Sequence, residues 1–306
     1  MKIKDSVKYY AQNPAKLFFR IGHSTFLRLL SDKQYLRLLF KSNMGYPLNL
    51  NKPQTFNEKL NWIKLHDRKP IFTTMVDKYE VKKYVASIIG EKYIIPTIGV
   101  WDRFEDIDFS TLPDQFVLKC THDSGGLIIC RDKSKLDIEA ARRKINRSLK
   151  RNYYLLGREW PYKNVPPRII AEKYLSEQEQ TEQLIDYKFY TMNEKVRVVM
   201  IVTDRGVSTK ADYFDTEFNH LDFTWGYPNA EKFPSKPQSF CQMIVLAEKL
   251  AKNTTEVRVD FYDVGGQIYF GELTFFDGSG MQRIEPVEWD KRLGSWLDLD
   301  NNGEDE

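Results

Sequence analysis

The run EVRVDFYDVGGQIYFGELTFFDGSG, residues 256–280, holds the side chains best suited to chemistry. Strand alternation puts Arg258, Asp260 and Tyr262 on one side of a strand whose partner ends at Glu272 and Thr274. A hairpin turning at Gly265-Gly266 can set Asp260 beside Glu272, two carboxylates that repel unless a cation lies between them. Mg²⁺ is a hard ion held by one or two carboxylates together with nucleotide phosphates, so such a pair suits it. Arg258 on the same face could offset phosphate or oxyanion charge, and the glycine-rich Asp277-Gly278-Ser279-Gly280 follows at once. A carboxylate pair on a hairpin is, taken alone, also what a solvated strand edge carries.

A second cluster is FVLKCTHDSGGLIIC, residues 116–130, where Lys119 interrupts an apolar strand before a polar turn. Gly125 and Gly126 would let backbone N–H groups close over phosphate, with the Ser124 hydroxyl added, as a flexible flap rather than a Walker-type loop. A plain hairpin with Lys119 on its wet face fits the same residues. His122 and Asp123 stay secondary as acid-base groups, because a loop histidine is more often a hydrogen-bonding residue.

These residues need a scaffold, and the periodicity supplies an α+β one. Helical spacing covers residues 56–66, 76–89, 137–151 and 239–252, with a short extended segment from Tyr93 to Pro96. Strand patterns cover 116–120, 127–130, 168–175, 186–192, 196–203, 257–262 and 267–272. The 306 residues are enough for two or three small subdomains. The expected divisions are a basic helical segment at 1–50, a subdomain at 51–110, a small lobe at 111–175, a C-terminal lobe at 176–300 and a tail at 301–306.

The net charge of +3 is unevenly spread. Residues 1–42 hold nine lysines and arginines against Asp5 and Asp32, a local +7 that leaves −4 elsewhere. Interleaved Leu and Phe residues make this a basic amphipathic segment that could face anionic lipid, or else pack on the body with its lysines solvated. An acidic body excludes nucleic-acid binding as the default. Three cysteines without metal-ligand spacing suggest neither a disulfide framework nor a zinc site. The sequence lacks a signal-like or membrane-length apolar run, so a cytoplasmic protein, at most peripheral to a membrane, is expected.

In order along the chain, the motifs resemble the ATP-grasp superfamily. Asp77-Lys78-Tyr79-Glu80-Val81-Lys82 with Ile95-Pro96 resembles its DKxxxK…P opening, with Lys82 the phosphate lysine and Lys78 a helix-surface residue. Lys119 with Ser124, Gly125 and Gly126 resembles the second ATP lysine and flap. Glu172, Lys173, Tyr174 and Leu175 resemble the hinge that reads adenine, and Asp186 the acid that holds ribose, with Lys188 on the same strand face. Arg258, Asp260 and Glu272 resemble the RxD…E signature, with Thr274 where an asparagine metal ligand is usual and Asp277-Gly278 where Pro-Gly often stands. Lys210 could reach phosphate from a neighbouring strand, and the stretch Arg158 to Lys163 is rich in groups that stack on sugars or pair with acids.

Longer runs, NKPQTFNEKLNWIKLHDR and KRNYYLLGREWPYKNVPPRIIAEKYL among them, resemble the TupA-like ATP-grasp family. That resemblance implies two lobes with ATP and Mg²⁺ between them and a role in bacterial capsule, teichuronopeptide or O-antigen assembly. It implies a ligase joining an amino acid or other amine to a uronic acid or similar sugar carboxylate through an acyl phosphate, with Arg258 and Lys119 catalytic and a lipid-linked acceptor conceivable. A sugar kinase on the same fold, a glycosyltransferase using Asp106-Ile107-Asp108, and a non-catalytic scaffold are the alternatives.

Overall fold

The computed structural model describes residues 27, 29–175, 184–204 and 208–299. Most of the positive charge of the N-terminal segment, carried by residues 1–26 and 28, and the tail at 301–306 lie outside the described residues. What is described begins in earnest with α1 (Asp32–Met44), started by a capping box in which Ser31 and Gln34 exchange hydrogen bonds and closed by Gly45 at φ 86°. Its Tyr35, Leu36, Leu39 and Phe40 are fully buried, in a cluster with Leu48, Leu50 and Met281. The apolar face of this helix is thus spent on the body of the protein.

A second capping box, Thr55 with Glu58, starts α2 (Phe56–His66), and α3 (Ile71–Val76) and α4 (Glu80–Ile89) follow. The single helix expected over 76–89 is broken at Asp77. The Asp77 carboxylate accepts the N–H groups of Tyr79 (2.9 Å) and Glu80 (3.3 Å), which ends one helix and seeds the next.

Strands β1 (Thr97–Trp101), β2 (Phe116–Cys120), β3 (Leu127–Cys130) and β4 (Ile169–Lys173) form an antiparallel sheet in the order β1-β4-β2-β3. Helix α5 (Ile138–Leu149), capped by Asp137, packs Ala141 and Ile145 against Phe116, Leu118 and Ile169. The short α6 (Tyr154–Gly157) connects it to β4. Strand β1 lacks an alternating pattern because it is an edge strand with a register shift between Thr97 and Gly99, so the sequence places the extended segment a few residues early.

The larger sheet comprises β5 (Asp186–Met192), β6 (Lys195–Thr203), β7 (Lys210–Phe214), the two-residue β8 (His220–Leu221), and, after β9 (Thr224–Trp225) and α7 (Phe240–Leu250), β10 (Glu256–Val264) and β11 (Gln267–Thr274). Its order is β11-β10-β5-β6-β7-β8, antiparallel throughout. Phe189, Val199, Ile201, Val257, Val259 and Phe261 meet Phe240, Met243 and Leu250 of α7 in the main core. Finally β12 (Ile284–Glu285) pairs with β9, and α8 (Glu288–Trp296) crosses α2 where Gly294 lies against the backbone of Gln54 and Thr55. Among the described residues no helix is long and apolar enough to cross a membrane.

Candidate active site

The odd-numbered residues Val257, Val259 and Phe261 of β10 go into the core, which leaves Arg258, Asp260 and Tyr262 on the opposite face. From the turn, Val264 pairs with Gln267 and the ladder runs regularly to Phe261 opposite Phe270. Continued without a break it would set Asp260 opposite Gly271. Instead the register shifts by one, so that Asp260 faces Glu272 and Arg258 faces Thr274. Gly271 suits this bulge because even a Cβ there would lie 3.1 Å from the Asp260 carbonyl oxygen.

Arg258 ties the cluster together. Its guanidinium donates to both oxygens of Asp260 (2.7 Å each), to Glu272 Oε1 (3.0 Å), to Asp277 (2.7 Å) and to the Thr274 hydroxyl (3.0 Å). From β5, whose Lys188 lies in register with Asp260, the Lys188 ammonium donates to Asp260 and stands 3.4 Å from Asp186. Burial alone would raise the Glu272 carboxyl, but Lys78, Arg258 and Lys188 outweigh it and hold it at about 2. Its side chain is still 36% exposed, so it keeps an oxygen for a ligand. The donor set fits Mg²⁺: hard carboxylate oxygens, converging from two strands, with more acids than cations around them. Among the described residues no group of three or more acids, histidines or cysteines is placed to hold a metal unaided.

On the small sheet, Lys82 of α4 and Lys119 of β2 both grip Glu172 of β4, at 2.5 and 2.6 Å. Burial pushes the Lys82 ammonium down although Glu172 pulls it up. Burial likewise works to raise Glu172, and the two lysines win and hold it below its ordinary value. Lys119 and Glu172 open onto a pocket of about 400 Å³ with Ile95, Val117, Leu127, Lys173, Tyr174, Leu175 and, from the other sheet, Tyr262. A pocket with apolar walls and the strand end at Lys173 to Leu175 on one side suits a heteroaromatic ring.

The turn of residues 121–126 behaves differently from a free flap. Ser124 lines a second cavity, but the N–H groups of Gly125 (3.2 Å) and Gly126 (3.0 Å) donate to their own Asp123 carboxylate, which also accepts from Ser148. Lys78 donates to the Asp123 carbonyl at 2.7 Å and lies 3.8 Å from Glu272, so it faces the cavity and not solvent. Lys210 stands at the start of β7, two strands from β5. Asp106 and Asp108 sit in a surface turn, where Asp108 caps Ser110. His122 is buried, and its ring Nε2 meets the Ser148 carbonyl at 3.2 Å.

Residues 58–298 match the family model described as TupA-like ATPgrasp. The chain belongs to the TupA-like ATP-grasp family. No curated protein is similar enough to count as a match. Solved structures similar to this TupA-like protein include the D-alanine-D-alanine ligase of Helicobacter pylori (12% identity, TM-score 0.41, 73% of this chain and 61% of that one). Another is the D-alanine-D-alanine ligase of Bacillus anthracis complexed with ATP (17%, 0.38, 66% and 54%), and a third the RimK domain ATP-grasp protein of Sphaerobacter thermophilus (11%, 0.41, 76% and 70%). The chain covers less than two thirds of the length of either of these two D-alanine-D-alanine ligases. Its own fold is the ATP-grasp fold, of the α+β class.

Two groups at the second cavity, Tyr153 and Lys64, are ones that the sequence of the TupA-like chain does not single out. The cavity, about 380 Å³, is walled by Lys78, Arg258, Glu272, Asp277, Ser279, Glu159, Tyr153 and Tyr162 among others. Beneath it the fully buried Lys64 of α2 donates to the Gly157 carbonyl (2.9 Å), the Ser279 carbonyl (2.8 Å) and the Ser279 hydroxyl (2.9 Å). Lys64 reads in sequence as the polar side of an amphipathic helix. Its partners come from residues about 90 and 215 positions away, which no local pattern in a TupA-like sequence can announce.

Proposed function

We propose that this chain is an ATP- and Mg²⁺-dependent ligase that joins an amine to a carboxylate in bacterial surface-polysaccharide assembly. One observation carries the reading: Tyr262, Asp260 and Arg258 step along a single strand face from the apolar pocket to the polar cavity, with Asp260 paired to Glu272 midway. Side chains two apart on a strand are ~7 Å apart, so the row spans about the length from an adenine to a terminal phosphate. The base would lie in the slot formed by Lys173, Tyr174 and Leu175 with Tyr262, and the acceptor in the cavity.

Asp260 and Glu272, with Thr274 beside them, would hold Mg²⁺, which when bound shields charge on the phosphates. Lys82 and Lys119 would exchange Glu172 for phosphate oxygens, and Lys188 would orient Asp260. Lys78 and Arg258 would draw the acceptor carboxylate toward the terminal phosphorus and then stabilise the oxyanion formed when the amine attacks the acyl phosphate. Asp186 would reach the ribose. Residues 111–175 and 176–300 would be the two lobes around the nucleotide, and the polysaccharide setting, with its sugar acceptor and possible lipid carrier, rests on the family resemblance.

The kinase reading shares every one of these groups up to phosphoryl transfer. The glycosyltransferase reading is disfavoured because Asp106 and Asp108 lie on a surface turn and Asp108 is engaged with Ser110. Calorimetric titration with ATP and with UDP-glucose, each with Mg²⁺, tests the proposal. ATP should bind and UDP-glucose should not, and the reverse result would end it.

A further inference from the structure

The cavity lined by Arg258 and Glu272 contains two acids with no cation partner among the described residues: Asp123, whose carboxylate is taken by the Gly125 and Gly126 amides and the Ser148 hydroxyl, and Glu159. Glu272 is matched by Arg258 and Lys78, and Asp277 by Arg258 and the Tyr190 hydroxyl. Glu159, on the cavity wall and only 5% exposed, is instead hydrogen-bonded by Ser279. Lys64 lies behind that serine with its ammonium hydrogens turned to Gly157 and Ser279 oxygens, so it aligns the serine hydroxyl without covering the carboxylate.

Two backbone features hold this arrangement. Ser279 sits at φ 56°, in a run from Phe276 to Gly280 in which several residues take left-handed backbone, a conformation that costs a non-glycine residue roughly 1–3 kcal/mol. At Gly157 a Cβ would fall 2.0 Å from Ser279 Oγ and 2.9 Å from Glu159 Oε1, so only glycine lets these side chains meet.

We propose that Glu159 is the general base of the second half-reaction, and that the cavity end formed by Glu159, Ser279, Tyr153 and Tyr162 is the subsite for a protonated amine. The proposal rests on the ligase reading above and adds to it the residue that makes the amine reactive. An amine reaches the site as an ammonium ion, which has no free electron pair. Glu159 removes one proton, the freed pair forms the C–N bond to the acyl carbon, and the carbonyl electrons move to its oxygen beside Arg258. Collapse of that oxyanion breaks the C–O bond to phosphate, which leaves with the bonding pair and takes the second nitrogen proton. The proton on Glu159 returns to water.

A carboxylate in water is too weak a base for this step, and the surroundings of Glu159 correct that. Burial raises its pKa and Asp277 raises it further, while Lys64 from α2 and the Ser279 hydroxyl pull it down, with a net rise. Tyr153 and Tyr162 face it as well: its charge and then burial raise the Tyr153 phenol, and burial and then its charge raise that of Tyr162.

The test uses the full chain with Mg·ATP, a panel of D-glucuronate, D-galacturonate and L-glutamate as carboxylates, and two small nucleophiles at pH 7. Hydroxylamine is largely unprotonated there and needs no base, whereas methylamine is almost wholly ammonium. Glu159→Gln should lower N-methylamide formation about 100-fold and hydroxamate formation far less, so that the ratio of the two products shifts strongly toward hydroxamate. Glu159→Asp, which keeps a withdrawn base, should recover part of the methylamide formation. Equal loss of both products in Glu159→Gln, retained methylamide formation, or no methylamide from the wild type would overturn the assignment. Absence of hydroxamate from every carboxylate with the wild-type protein would instead remove the ligase reading itself, and this proposal with it.

Discussion

Glu272 faces Asp260 across two neighbouring strands because the ladder slips by one residue at Gly271. Without the slip, Glu272 would lie opposite Val259, which is fully buried in the core. The carboxylate pair is therefore a product of the bulge, and the bulge depends on a residue without a side chain. Gly271→Val should crowd the Asp260 carbonyl and the Tyr262 ring, 3.1 and 3.2 Å from even the first added carbon. The expected cost is about 1–3 kcal/mol in chemical denaturation, with weaker Mg·ATP binding. Unchanged stability and affinity would show that the bulge is not what sets the pair.

Both acids should matter to the nucleotide only when the metal is present. Asp260→Asn and Glu272→Gln each remove a hard oxygen ligand, and no third acid, histidine or cysteine of the described residues is placed to replace it. Calorimetry should show ATP affinity in Mg²⁺ falling at least about tenfold in each variant, with little change in EDTA. Mg²⁺ alone should give no resolvable heat with the wild type. A fall in affinity of the same size in EDTA would mean that the acids act through Arg258 and Lys188 and do not hold a metal.

Some of this was legible in the residues and some was hidden for physical reasons. The core alternation on β10 is plain, and the apolar set on β11 switches from Ile268 and Phe270 to Leu273 and Phe275, a change of parity that marks Gly271. The turn at Gly265-Gly266 by itself implies the regular register, which does not pair the two acids. On α2 the residues Asn57, Asn61 and Lys64 recur at helical spacing and read as a wet face. They are fully buried, because Asp290, Gly280 and Ser279 supply their partners from the far end of the chain. The sequence also assigns Lys78 to a helix surface, whereas the break at Asp77 turns it into the cavity. The Gly125 and Gly126 amides look free in sequence, and Asp123, two and three residues before them, takes both.

Glu172 holds two lysines that would otherwise repel each other in a half-buried place, so its loss should be felt before any ligand binds. Glu172→Gln should destabilise the free protein by about 3 kcal/mol, since it leaves two cations without their anion. Mg·ATP supplies anionic oxygens to the same lysines, so the rise in Tm on saturation should be larger for Glu172→Gln than for the wild type. Thermal denaturation with and without nucleotide measures both. An equal or smaller rise in the variant would mean that Lys82 and Lys119 do not meet the phosphates.

Glu256 offers a pH test at a buried carboxyl that lines neither pocket. It is 1% exposed, its Oε1 has no hydrogen-bond partner, and burial, with Asp277 adding to it, pushes its carboxyl up to about 8. A raised folded-state pKa means that the native protein holds this proton more tightly than the unfolded chain does. The stabilisation is complete below the ordinary carboxylate value near 4.5 and is lost as pH rises from there through about 8. Glu256→Gln, which stays neutral, should resemble the wild type at pH 4 and be more stable by about 4 kcal/mol at pH 8.5. Glu272 works in the opposite sense: its carboxyl is held at about 2, so its contribution is present above about 4.5 and fades as pH falls toward 2. Urea denaturation of the wild type, Glu256→Gln and Glu272→Gln at pH 3, 5 and 8.5 separates the two. A Glu256→Gln advantage that is the same at all three values would rule out the buried proton as its cause.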